Sequence, residues 1–363
     1  MKNKNYNIEL IRIIAMIMIL TLHCNLFSAK VVWSLDTKNM FFTIMEFISI
    51  VAVNLYVLIS GFFLINSKFS LKKIINLEII VVFYSVIIYL LLMMNGYINW
   101  NIRDFSRMFF PIINSNYWFY TCYVVLYILM PIIKKIYILL KESSKEKITI
   151  IILVIITSIL PSINPVNNQL NLDSGYNYMW FITLVFLGAY IRENEFKIKT
   201  YKLLLMFIMV LIFQLIIYYN IKKITALSLF GYWHSFLYSY NNTLVLINSL
   251  LLFILINKIR IKKNYTKKII GFFSASTFSV YLIHIHPFMI GPILQNKLDI
   301  SKYLGTFKIF QMYFFVIIAL FLICIFIDKI RICLFNIINK IPFMKYISKK
   351  IDKLYLKIDL KVN

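Results

Sequence analysis

Two side chains able to do chemistry, Arg12 and His23, stand inside the first long apolar run, eleven residues apart, with Glu9 three residues before the first. A neutral imidazole, with an ordinary pKa near ~6.5, suits removal of a proton from a hydroxyl at physiological pH. A guanidinium offers a planar fork of donors to a carbonyl or an anion. On an α-helix at 100° per residue, eleven steps leave only about 20° between the two, so they share one face, roughly 16 Å apart along the axis. Glu9 falls on the same face and can pair with Arg12. Taken singly, Arg12 could snorkel to lipid headgroups and His23 could be a hydrogen-bonded core residue. Ionisable groups placed inside hydrocarbon are costly and tend to face a bundle interior or a wet cavity, so a functional reading is the default.

The elements that must position this face are membrane spans. Of 363 residues, 61% are apolar and 15% charged, against about 45–50% and 25% in soluble domains. Apolar stretches of about twenty residues recur throughout. Breaking the chain at its polar clusters predicts an all-α, polytopic transmembrane bundle of ten spans, near 8–28, 40–66, 74–95, 116–133, 148–163, 177–191, 203–219, 240–257, 269–292 and 309–328. With both termini in the cytoplasm, 29 of the 39 Lys and Arg lie inside, nine outside, and Arg12 within a span, the asymmetry of a positive-inside protein. The domain reading is 1–330 for the membrane bundle and 331–363 for a basic tail. Its alternation of Lys with Ile, Leu and Tyr reads either as an amphipathic helix on the inner leaflet or as a solvated tail that fixes topology.

The net charge of +25 is dispersed in these loops and in the tail, so membrane lipids rather than nucleic acid are the expected partner. Cys24, Cys122, Cys324 and Cys333 are far apart and indicate neither a disulfide framework nor a zinc site. The first run is long and carries Arg12, which favours a retained span over a cleaved signal, with cleavage after Ser28 or Ala29 as the alternative. Neither an internal repeat nor a glycine-rich phosphate loop is evident.

Arg, ten residues and His on the first span resembles the signature of the membrane acyltransferase-3 family. Val53-Asn54-Leu55-Tyr56-Val57-Leu58-Ile59-Ser60-Gly61-Phe62 is similar to that family's second span, and Asn116-Tyr117-Trp118-Phe119-Tyr120 with Leu126 to Pro131 to its fourth. Trp180-Phe181 with Gly188-Ala189-Tyr190-Ile191 is similar to the sixth, and Tyr281-Leu282-Ile283-His284 to the step near its end. The resemblance covers roughly residues 6–330. It implies O-acyl transfer, usually of acetyl, from a cytoplasmic acyl-CoA such as acetyl-CoA to a hydroxyl of a cell-surface polysaccharide or its lipid-linked glycan precursor. It also implies a multi-pass protein of a bacterial plasma membrane, and no metal.

On that reading His23 is the base or a transient acyl carrier, Arg12 holds the thioester, and Lys72 and Lys73 attract the coenzyme phosphates. The family often has an Arg-x-x-Arg pair where this chain has Lys72-Lys73-Ile74-Ile75-Asn76, so charge is kept without a bidentate fork. Glu46 is expected at a depth similar to His23, either to orient it or to face an outer water layer. His284, with a second imidazole at His286, is placed with Trp118 and Tyr281 as substrate-binding, against packing and interfacial-belt roles. Arg103 and Arg107 could meet an anionic glycan. Glu78, Gln214, Asn248, Gln311 and Asp328 are expected to join helices by hydrogen bonds. The rival classes are a transporter or flippase of glycan intermediates, with Arg12 and His23 lining a path, and a glycan polymerase.

Overall fold

The computed structural model describes residues 4–31, 40–64, 68–165, 172–224, 236–340 and 355, and among these every regular element is helical. Helix α1 runs Tyr6–His23 and continues as a π-turn over Cys24–Ser28. Then come α2 (Met40–Ser49), α3 (Ala52–Leu64), α4 (Leu71–Met94), α5 (Ile102–Arg107), α6 (Trp118–Glu142), α7 (Glu146–Val154) and α8 (Leu160–Ile163). The second half holds α9 (Tyr178–Glu193), α10 (Thr200–Ile224), α11 (Thr243–Asn257), α12 (Asn264–Ser274), α13 (Thr277–His284) and α14 (Lys308–Ile338).

Among the described residues, seven stretches are long and apolar enough to cross a membrane: Tyr6–Ser28, Met40–Phe63, Leu71–Met94, Trp118–Glu142, Glu146–Ile163, Thr200–Ile221 and Lys308–Ile338. They match seven of the ten expected spans. The exteriors of these helices are apolar: Leu204, Leu205, Met209, Ile212, Phe213 and Ile216 are exposed along α10, and Phe315, Ile323 and Phe326 along α14. Rows of this kind face lipid, since no aqueous surface would carry them.

Two other expected spans, 177–191 and 240–257, are the shorter helices α9 and α11. The stretch 269–292 departs from a single span. It is broken into α12 and α13, and α13 stops at His284. Pro287 has no backbone N–H to give and disfavours helical geometry at the residue before it, and a π-turn takes over at Ile290–Lys297. At the other end, α14 runs past Arg331 to Ile338, and the tail from 341 onward lies outside the described residues except for Tyr355.

The helices fall into two compact units, one of Met1–Asn66 with Ile132–Ser274, the other of Ser67–Pro131 with Ala275–Asn363. In the first, α3 packs on α9, α10 on α11, and α1 against α2, α3, α11 and α12. Two glycines permit the first of these approaches. A Cβ on Gly61 would lie 2.3 Å from the Val185 carbonyl oxygen, and one on Gly188 2.4 Å from that of Leu58. Asn54 is the polar pin of the same unit: its amide donates to the Tyr240 carbonyl (2.9 Å) and the Ser249 hydroxyl (3.1 Å), while its oxygen accepts from the Trp180 indole (3.0 Å).

In the second unit, α13 packs on α14 and α4. Here Asp328, fully buried, accepts from the Tyr84 hydroxyl and from Arg331 Nε, both at 2.8 Å. Asp328 thus joins helices, as does Glu78, which accepts from the Tyr120 hydroxyl at 2.5 Å, while Gln214 donates to the Leu237 carbonyl at 3.0 Å and so ties α10 to the turn before α11. Asn248 and Gln311 depart from the expectation: among the described residues neither atom of the buried Asn248 amide has a hydrogen-bond partner, and Gln311 lies exposed on α14.

Candidate active site

Helix α1 starts where Asn5 accepts from the backbone N–H of Asn7 and Ile8, satisfying donors that a helix leaves orphaned. It stays α-helical from Tyr6 to His23, so the eleven-residue step from Arg12 to His23 keeps its period and the two remain on one stripe. Glu9 is 94% buried, and its Oε1 accepts from the Arg12 guanidinium at 2.9 Å. Its other oxygen lies 3.8 Å from the Lys4 ammonium. From α3, the Tyr56 hydroxyl donates to the Arg12 carbonyl at 2.8 Å. Arg12 is held by side chain and backbone while about a third of its side chain stays accessible.

The helix changes winding directly after His23, whose half-buried ring lies 5.7 Å from that of Phe27. The π-turn that follows carries Asn25, which donates to Glu46 Oε2 at 2.7 Å and to the Phe42 carbonyl at 3.3 Å. Both Asn25 and Glu46 are buried. The structure thus places Glu46 on the residue two beyond His23. π-Turns of this kind recur at functional sites because they re-aim the side chains beside them. Glu46 also lies within electrostatic reach of Tyr176 and Tyr238. Burial is the main cause holding both phenols above their ordinary pKa, and the carboxylate adds to it.

The second unit carries the remaining expected residues. His284 is fully buried and its Nδ1 lies 2.6 Å from the Val280 carbonyl. A carbonyl only accepts, so the proton is on Nδ1 and the lone pair is on Nε2. The adjacent His286 has a different task. The Phe288 N–H donates to its Nδ1 at 3.2 Å, so its Nε2 carries the proton and donates to the Ser85 carbonyl at 3.0 Å. That ring ties α4 to the chain leaving α13. Tyr281 lies 6.4 Å from the His284 ring and 6.1 Å from Phe119, which lies 5.9 Å from Trp118, so the three expected substrate residues share one aromatic cluster. Lys72 and Lys73 are exposed in the first turn of α4.

Against this geometry, the family model described as an acyltransferase domain matches residues 5–329. The chain belongs to the acyltransferase-3 family. No curated protein and no solved structure matches it. The family match encloses the α1 stripe, the Ser60-Gly61-Phe62 step and the α13 histidine, and it makes the protein a membrane acyltransferase. Three residues on this acyltransferase frame escape a reading of the sequence. Tyr56 and Asn54 lie inside a family-like motif without a role that the motif assigns, and Asn25 carries a detectable sign only in its place two residues after His23.

Proposed function

We propose that the protein moves an acyl group, acetyl in the simplest case, from acyl-CoA at the cytoplasmic mouth to a hydroxyl of an exported polysaccharide or its lipid-linked precursor in a bacterial plasma membrane. The observation that carries this reading is the single stripe of α1, with Arg12 held by Glu9 and Tyr56 near one end and His23 at the other. The donor enters beside Arg12, whose fork holds an anionic or carbonyl group of the coenzyme arm so that the thioester reaches on toward His23, and Lys72 and Lys73 attract phosphates by charge. The acceptor hydroxyl gives its proton to the neutral His23 imidazole while its oxygen bonds to the carbonyl carbon. The C–S bond then breaks, and the leaving thiolate takes up a proton as the coenzyme thiol. Glu46, through Asn25, holds the turn that sets the ring of His23. Trp118 and Tyr281, with His284 packed beside them, offer aromatic faces to a sugar.

The test is the O-acetyl content of surface glycan, by NMR, in cells carrying wild-type or variant protein at matched membrane levels. His23→Ala should lower acetylation by ~10²–10⁴-fold, the range of a general base. Arg12→Lys should keep the charge yet lose most of the activity, because a point charge replaces a fork. Normal acetylation by a well-inserted His23→Ala protein would refute the mechanism, and unchanged glycan on loss of the whole protein would refute the acceptor class.

A further inference from the structure

The N-terminal end of α1 is built into a cationic and aromatic cluster that the acyl-transfer stripe itself does not use. The Asn7 amide donates to the carbonyls of Asn257 and Ile259 at 2.8 and 2.6 Å, with that of Ile256 at 3.1 Å sharing it. The end of α11 and the loop after it are thereby pinned to the first turn of α1. That loop and the start of α12 carry Lys258, Arg260, Lys262, Lys263, Lys267 and Lys268. Lys267 is half-buried with its ammonium 6.0 Å from the centre of the Tyr6 ring. Lys263 stands 5.7 Å from the Tyr265 ring, which is 60% exposed. On the other side Lys4 reaches Glu9, the carboxylate that holds Arg12.

A topology signal needs charge alone. It does not need an exposed aromatic ring beside an ammonium, nor a run of contacts leading from the loop to Arg12. Aromatic faces set among lysines are what a phosphorylated nucleobase requires: the ring stacks on the base and the ammonium groups meet the phosphates. We infer that Tyr265, Lys263, Lys267 and Lys4 bind the adenosine 3′-phosphate end of the acyl-CoA donor. This rests on the acyl-CoA reading above. From Tyr6 to Arg12 is six residues, about 9 Å of helix, a distance the flexible pantetheine arm covers to run past Arg12.

Phosphate chemistry is shared with anionic lipid headgroups, so the test separates the two. The full-length protein is placed in nanodiscs of phosphatidylcholine alone or with phosphatidylglycerol, and binding of CoA and of 3′-dephospho-CoA is measured by calorimetry. Wild type should prefer CoA by about tenfold, the value of one charge-assisted phosphate contact. Lys263→Gln with Lys267→Gln should erase that preference. Tyr265→Ala should weaken both ligands, whereas Tyr265→Phe should not. Unchanged melting temperatures establish that these surface variants are folded. If wild type binds CoA and the variants keep its preference for the 3′-phosphate, the cluster is not the donor site although the donor reading stands. The inference is equally overturned if the variants alter only the response to phosphatidylglycerol, which makes the cluster a headgroup site. If wild type binds no CoA in either nanodisc, the donor reading itself fails and takes this inference with it.

Discussion

Replacing Gly61 with alanine tests the coupling between helix packing and the site. The new Cβ would lie 2.3 Å from the Val185 carbonyl oxygen and 2.8 Å from the Val185 Cα, where ordinary contact begins at 3.4 Å. These are backbone atoms of a packed helix, so no side chain can swing aside, and α3 and α9 must separate by the difference, 1.1 Å for the oxygen contact. Overpacking of this kind costs about 1–3 kcal/mol, and at roughly 2–4 °C per kcal/mol the melting temperature should fall by about 2–12 °C. The activity should fall further than stability explains. Tyr56 rides on α3, five residues before Gly61, and its 2.8 Å bond to the Arg12 carbonyl stretches to at most 3.9 Å if the whole displacement falls on it, beyond hydrogen-bond range. A misplacement near 1 Å at a catalytic group costs up to ~10²-fold in rate. The assay pairs thermal unfolding in detergent with acyl transfer per folded molecule. If Gly61→Ala melts and turns over like wild type, the glycine contact is not a constraint. If it melts early yet keeps full turnover per folded molecule, Tyr56 does not link packing to Arg12.

Asn54→Leu removes three hydrogen bonds; at the ~0.6 kcal/mol typical of interhelical bonds in membranes they sum to about 2 kcal/mol, or about 4–8 °C of melting temperature, and an unchanged melting curve would contradict the role of Asn54 as a pin. Asn248→Leu should do the reverse and raise the melting temperature by about 2–4 °C, because it deletes a buried amide that has no partner; a fall would mean the amide is satisfied in the membrane. Asp328→Asn leaves the buried Arg331 uncompensated and should cost ~3–5 kcal/mol, whereas Tyr84→Phe should cost about 1 kcal/mol; equal effects in unfolding measurements would refute the assignment of the ion pair as the main element. Reporter fusions after Lys38, Asn167 and Asn296 should report outside and those after Lys72, Lys197 and Lys263 inside, following the charge asymmetry, and a swap at any two sites would overturn the ten-span topology.

The parts of the site that are legible in the sequence are those governed by a period. Arg12, His23 and Glu9 fall on one face because an α-helix repeats every 3.6 residues, and the described helix keeps that repeat to His23 without a break. The first residue after it ends the legibility. Asn25 would stand about 200° from His23 on a continuing α-helix, but the π-turn changes the winding, and no hydropathy pattern reports such a turn. The sequence places Glu46 by depth alone, which is set by span length; its pairing with Asn25 depends on how two helices rotate about their axes, and rotation is decided by packing partners far apart in sequence. The same reasoning covers the paired histidines. As a sequence, His284-Ile285-His286 offers two equivalent imidazoles, and only the ends to which they bond distinguish them. One donates to its own helix at Val280, while the other, beyond the helix end next to Pro287, takes a proton pattern fixed by Phe288 and Ser85. A helix stop that the proline announces therefore separates a ring bonded within its own helix from a ring spent on holding α4 in place.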